Sequence, residues 1–203
     1  MSAAGLFYSV LNIFLHLPAV ITLNFHPRPV CIMSTDQYTI REWERISYLC
    51  PQSSQEHVRE VWNLILKPLF PHVPTGGKCF TVTDEDNQDR FPQIAVTHLN
   101  GRFPTLPLFK VCCIGFADPD MDMWKVLEEA VELDLLEASS VLEGKPRASL
   151  FAAIAVGPLV RFYRLDEEDY FCYVEHRDRD AYDVHRDFDV IVEHLLQIWG
   201  AMA

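Results

Sequence analysis

Two stretches of this chain, residues 106–116 (LPLFKVCCIGF) and 151–156 (FAAIAV), are almost unbroken apolar sequence. Neither shows the three-to-four-residue rhythm of a surface helix or the strict alternation of a half-wet strand. Both read as strands covered on both faces. Such strands need packed elements on each side of their sheet, which calls for a layered domain and excludes an isolated hairpin. The 203 residues suffice for one, since a chain this long buries roughly 70% of its surface on folding.

The remaining elements follow from period and punctuation. Ile40, Trp43, Ile46 and Leu49, at three-residue steps, predict a short helix stopped by Pro51. Ser53 and Glu56 spell a capping box before a second helix carrying Val58, Val61, Trp62, Ile65, Leu66 and Leu69, with Pro68 at its end. The period then shortens to two. Residues 79–83 and 93–99 predict a hairpin about an acidic turn, and Asn100-Gly101 a tight turn before residues 106–116. Asp118-Pro119 predicts the start of a third helix, with Trp124, Leu127, Val131, Leu135 and Ala138 on one face and Gly144 at its end. Gly157-Pro158 turns residues 151–156 into 159–165, and a second acidic turn leads to 170–175. After a polar stretch, Asp187 caps a last helix with Phe188, Ile191, Leu195, Ile198 and Trp199 on one side. The order α-α-β-β-β-α-β-β-β-α predicts an α+β domain, a mixed and mostly antiparallel sheet with flanking helices.

Charge divides the chain into an apolar N-terminal segment, 1–33, and a single domain, 34–203. The first holds one basic residue, Arg28, and no acid, so the second carries nearly all of the charge that leaves the whole at -12. Residues 3–23 are uncharged and about long enough to span a bilayer core, although Asn12, His16 and Pro18 interrupt them and no Lys or Arg precedes them. Three readings stand: a signal peptide or membrane anchor, an element packed on the domain, or an upstream extension of a chain that starts at Met33. Membrane contact is expected only through residues 3–23. The acidity argues against a nucleic-acid partner and for a protein partner of basic character. Six cysteines form no CxxC, and Cys112 and Cys113, adjacent in a strand, point to opposite faces. They read as small apolar side chains in a reducing compartment. The expected setting is intracellular and soluble, or membrane-anchored or secreted if the N-terminal segment is genuine.

A leading helix, three strands, a helix and a strand, together with FAAIAVGPLVRFYRL, resemble the restriction-endonuclease-like (PD-(D/E)XK) nucleases, in particular degenerate fungal-type members, over roughly residues 54–200. The resemblance implies an Asp and an Asp/Glu-x-Lys pair on adjacent strands, holding a divalent cation. Here the corresponding strands, QIAVTHL and LFKVCCIGF, carry no acid. Asp118 lies just beyond the second with no Lys two residues on, and Glu143-Gly144-Lys145 falls at a helix end. What the resemblance implies is a member that has lost the nuclease site.

Other chemistries find little support. Asp118, Asp120, Asp122 and Glu129 match acidic positions of a calcium loop, but Met123 stands where the loop needs glycine, and Pro119 favours acids gathered at a helix N-terminus. No metal and no cofactor is expected. His176-Arg177-Asp178 and His185-Arg186-Asp187 spell a kinase-loop string without its companions, and no G-x-S-x-G or phosphate loop is present. Cys112 or Cys113 beside Lys110 would need exposure to act as a nucleophile. Two sets remain. Arg161, Tyr163, Arg164 and Tyr173 line an exposed sheet face, either a recognition surface for an acidic or aromatic ligand or ordinary cross-strand pairs. His98, Asp118 and Arg161 lie near strand ends, where an enzyme of unrecognised type would hold its site. The expected function is a non-catalytic or vestigial domain that binds a protein or small ligand, with that enzyme or a membrane-tethered accessory protein as alternatives.

Overall fold

The two apolar runs lie side by side as the central strands of one sheet in a computed structural model that describes residues 38–72, 77–85, 91–99, 106–115, 120–141, 149–174 and 179–202. The chain divides into Met1–Ser34 and Thr35–Ala203. The former, with the uncharged residues 3–23, lies outside the described residues, and only the latter is treated below. Among the described residues no helix is long and apolar enough to cross a membrane.

The elements are α1 (Ile40–Ser47), α2 (Gln55–Leu69), β1 (Phe80–Glu85), β2 (Gln93–His98), β3 (Pro107–Ile114), α3 (Met121–Ser140), β4 (Leu150–Val156), β5 (Leu159–Leu165), β6 (Phe171–Tyr173), β7 (Tyr182–Asp183) and α4 (Phe188–Ala201). This is the expected α+β order with one short strand, β7, added inside the polar stretch. The sheet runs β1-β2-β3-β4-β5-β6, and β7 joins β5 on the same side as β6. Among the described residues only β3 and β4 pair in parallel. A parallel pair needs a long crossover, and α3 supplies it.

Register lines the side chains up in rows. Gln93, Cys112, Ile154 and Arg161 form one row, and Ala95, Lys110, Ala152, Tyr163 and Tyr173 the next. Both rows face α3, to which Lys110 and Arg161 are hydrogen-bonded through Asp134 and Glu128. The alternate positions face α2 and α4: the Phe109 ring lies 6.0 Å from Phe70, and Phe162 stacks on His194 at 5.0 Å. Every position of β4 is buried. On α2, the buried Val58, Val61, Trp62, Ile65, Leu66 and Leu69 form its inner side, each contributing roughly 1.5–3 kcal/mol over exposure.

Three helix starts differ from expectation. Ser54, not Ser53, caps α2, accepting from the His57 amide at 3.2 Å. Ser53 is buried, and its hydroxyl accepts from the Cys50 amide at 2.9 Å. A reciprocal capping box forms instead at Thr39 and Glu42 of α1. Asp120 caps α3 by accepting from the Met123 amide, which moves the start past Asp118-Pro119. Asp187 makes no cap bond to α4; Arg179 holds both of its oxygens, at 2.9 and 2.7 Å. Gly115, just after β3, sits against the start of α2 so closely that a Cβ there would collide with the backbone of Ser54 and Gln55. Only glycine allows that approach.

Candidate functional site

Alternation along β5 sends Arg161 and Tyr163 to the α3 side, opposite Trp124 and Glu128. The Arg161 guanidinium donates to Glu128 Oε1 at 2.8 Å, pairs with Asp180 at 3.0 Å, and lies 4.3 Å from the Trp124 ring centroid. The hydroxyls of Tyr163 and Tyr173 donate to the same Glu128 carboxylate, at 3.0 and 2.7 Å. Burial works against the Arg161 charge, but the Glu128 hydrogen bond and the surrounding charges, Asp180 and Glu128 among them, together outweigh it and hold the guanidinium above its usual pKa. Burial, then the Glu128 charge, pushes the Tyr163 hydroxyl far up. For Tyr173, burial and the Glu128 hydrogen bond raise it to about 12. The group is a permanently charged arginine neutralised by two carboxylates and locked by two neutral phenols. It ties α3 to β5 and β6 and offers no open positive charge to an acidic ligand.

Three of the four residues expected on this surface therefore meet. The correction concerns exposure and Arg164. Arg161 is only 6% exposed and Tyr163 is fully buried, because α3 covers the face expected to be open. Arg164 is an odd number of positions from Arg161, so it projects from the opposite face, opposite Cys172. His98 also lies across the sheet, stacked on Phe80 at 4.8 Å among the α2–α4 packing, and neither ring nitrogen has a hydrogen-bond partner among the described residues. His98 and Arg161 thus do not share a pocket. Asp118, residues 143–145 and residues 176–178 lie outside the described residues. The second HRD string is a turn in which the His185 ring bonds the Leu49 carbonyl, at 2.7 Å.

A second constellation, absent from the sequence expectations, lies on the same face between β2, β3 and α3. Lys110 forms an ion pair with Asp134 at 2.8 Å and stands 3.6 Å from Glu85. Beside it opens a cleft of about 230 Å³ lined by Phe91, Gln93, Cys112, Ala130, Val131, Leu133 and Asp134. The signal was present in the sequence: Lys110 is the one charge in residues 106–116, and Asp134 the one acid among Val131, Leu135 and Ala138. Two lone charges on covered elements joined by a crossover are candidates to pair.

No protein-family model, curated protein or solved structure matches this chain. Its chemistry must be argued from these residues. Burial, and then the Asp134 charge, pushes the Cys112 thiol up to about 12, and Cys113 on the other face is raised well above the usual thiol value. Both are neutral thiols at ordinary pH and poor nucleophiles. Among the described residues no three His, Cys, Asp or Glu side chains form a metal-binding group. On α3, the outward side carries Val126, 59% exposed, and Leu133, 67% exposed, at a seven-residue spacing, with exposed Asp122, Glu129 and Glu137 around them. The helix as a whole has six acids and one lysine.

Proposed function

We propose that this domain is a non-catalytic binding module that docks a basic, amphipathic protein segment along the outer side of α3. The observation that carries the reading is the exposed Val126–Leu133 stripe set among acidic side chains on a helix fixed to the sheet. Apolar contact supplies the area of such an interface, and the charges supply approach rate and orientation. A second copy of this chain carries the same net charge of -12, which opposes self-association and favours a partner of opposite sign. A restriction-endonuclease-like ancestry belongs to the same proposal. The order α2-β1-β2-β3-α3-β4, with β3 and β4 parallel, supports it, and the strand faces carry packing and paired side chains in place of a nuclease's acids.

The test is fluorescence anisotropy with labelled amphipathic helical peptides, one of Lys and Leu and one of Glu and Leu. The basic peptide should bind, weaken as salt screens the contact, and protect α3 amides from hydrogen exchange. Val126→Asp with Leu133→Asp should abolish binding without unfolding the domain. Equal binding of both peptides, or protection on another face, would overturn the reading.

A further inference from the structure

The sheet ends at β1, whose one neighbour among the described residues is β2. Register shows which backbone groups that neighbour uses. The Leu99 amide donates to the Cys79 carbonyl at 2.8 Å, so Cys79 and Leu99 form a hydrogen-bonded pair. Bonded and non-bonded pairs alternate along an antiparallel ladder. Thr81↔Thr97, Thr83↔Ala95 and Glu85↔Gln93 are therefore bonded pairs too, and Phe80, Val82 and Asp84 aim their N–H and C=O groups away from β2. Phe80 obeys this parity: its amide donates to the Pro71 carbonyl at 3.1 Å, and its carbonyl meets the His72 ring at 3.2 Å. Pro71 and His72 thus cover the first outward position. Beyond them, the amides and carbonyls of Val82 and Asp84 face outward with no described residue bonded to them, and Thr83 and Asp84 are exposed.

An open edge is a template for another strand, and proteins blunt the edges they do not use with Lys, Pro, bulges or brevity. The opposite edge is short: β6 has three residues and β7 two. β1 has six, FTVTDE, with no Pro, no Lys and an unbroken register against β2. Its two charges are acids at the end left open. The side chains of Asp84 and Glu85 are 48% and 42% exposed. They stand off their cations, Arg59 at 4.0 Å and Lys110 at 3.6 Å, farther than the about 2.7–2.9 Å of a charged hydrogen bond. Those acids select the occupant. A second copy of the chain brings another charge of -12 and another acidic edge, whereas a basic strand meets opposite charge. We propose that β1 is a strand-addition site for an extended basic segment of a partner protein, paired antiparallel with residues 82–85 and distinct from the outer side of α3. Register dictates its sequence. Read from its N-terminus, the segment places Lys or Arg opposite Glu85 and then Asp84, Thr opposite Thr83 and Val opposite Val82, favourable cross-strand pairs throughout. The residues facing Asp84 and Val82 make the main-chain bonds.

The experiment is amide hydrogen exchange of the whole chain by NMR, with and without the capped peptide Ser-Lys-Arg-Thr-Val-Ser. In the free chain the Val82 and Asp84 amides should exchange fast, and those of Thr81 and Thr83, bonded to β2, slowly. Saturating peptide should slow Val82 and Asp84 at least about tenfold and leave α3 unchanged. N-methylation of the peptide's Arg or Val removes an N–H aimed at the edge and should weaken binding about five- to tenfold. N-methylation of its Thr, whose N–H points to solvent, should not. These changes lie in the peptide, so no folding defect in the protein can obscure them. Replacing its Lys and Arg with Glu should abolish binding. Equal loss from all three methylations, or protection of α3 in place of β1, would overturn the strand-addition site and leave docking on α3 standing. Slow exchange of Val82 and Asp84 in the free chain would overturn the open edge itself. Protection of β1 by this peptide, with no response of α3 to the helical ones, would uphold the site and remove the docking reading alone.

Discussion

Replacing Glu128 with alanine tests how much the buried arginine network contributes to stability. The carboxylate accepts from Arg161, Tyr163 and Tyr173, at 2.8, 3.0 and 2.7 Å. Without it the Tyr163 hydroxyl is left in a fully covered site with no acceptor, while the more exposed Tyr173 can turn to water. Removing one member of a buried ion pair costs about 3–5 kcal/mol because the other charge is stranded. Here Arg161 keeps Asp180 at 3.0 Å and the Trp124 ring at 4.3 Å, so the lower end applies, about 3 kcal/mol. At a urea dependence of about 2 kcal/mol per molar, the unfolding midpoint should fall by about 1.5 M. Arg161→Met should cost less, about 1.5–2 kcal/mol, because Glu128 retains two phenolic donors. Glu128→Leu with Arg161→Met should cost less than the two single changes summed, since no charge remains buried. Urea titration followed by tryptophan fluorescence, with m held constant across variants, measures all three. A Glu128→Ala loss below about 1 kcal/mol would mean that water screens the network and that the clamp between α3 and the sheet is not what holds it.

Three further outcomes are expected. Stability should fall above about pH 9: Cys112, raised by burial to about 12, keeps its proton in the folded chain while the unfolded chain gives it up. Tyr163, raised by burial and Glu128, adds to the loss from about pH 10. Folding binds the extra protons, so each covered group lowers stability by up to ~1.4 kcal/mol per pH unit in that window, and equal urea midpoints at about pH 8 and pH 10 would refute the burial argument. Gly115→Ala should cost at least about 3 kcal/mol, since its Cβ meets the backbone of Ser54 and Gln55. Gly157→Ala, with φ +53° and the Cys50 carbonyl 3.0 Å from the new carbon, should cost about 1–2 kcal/mol, and a reversed order in thermal melts would contradict the close approach at Gly115. Ser54→Ala should cost about 1 kcal/mol as a lost helix cap, whereas Glu56→Ala, which an Ser53-led capping box would make comparable, should change the urea midpoint little.

What the sequence revealed and what it concealed follow from how far each signal reaches. The α+β order was legible because long apolar runs and the change of period are local. β7 was not, because two residues carry no period and their strand exists only by pairing with Leu159 and Val160. Ser53 and Ser54 are equally good caps by chemistry, and the choice between them turns on which one the Cys50 amide draws inward. Arg164 could have been excluded from the sequence alone, since an odd offset from Arg161 along a strand means the other face. The cleft could not have been read this way, because Phe91 and Gln93 meet Leu133 and Asp134 across forty residues.

The charges on the covered strands carry the deeper regularity. Lys110 on β3 and Arg161 on β5 are each placed on the side of the sheet that α3 covers, and each takes its carboxylate from α3, at Asp134 and Glu128. Those two acids flank the buried stripe of Trp124, Leu127, Val131 and Leu135. Ion pairs at both margins resist rolling of the helix about its axis, which apolar contact alone, being non-directional, resists poorly. The outward stripe is thereby held at a fixed angle to the sheet. A binding surface gains affinity when little freedom remains to be lost on docking, so the same two pairs that satisfy buried charge also preorganise Val126 and Leu133.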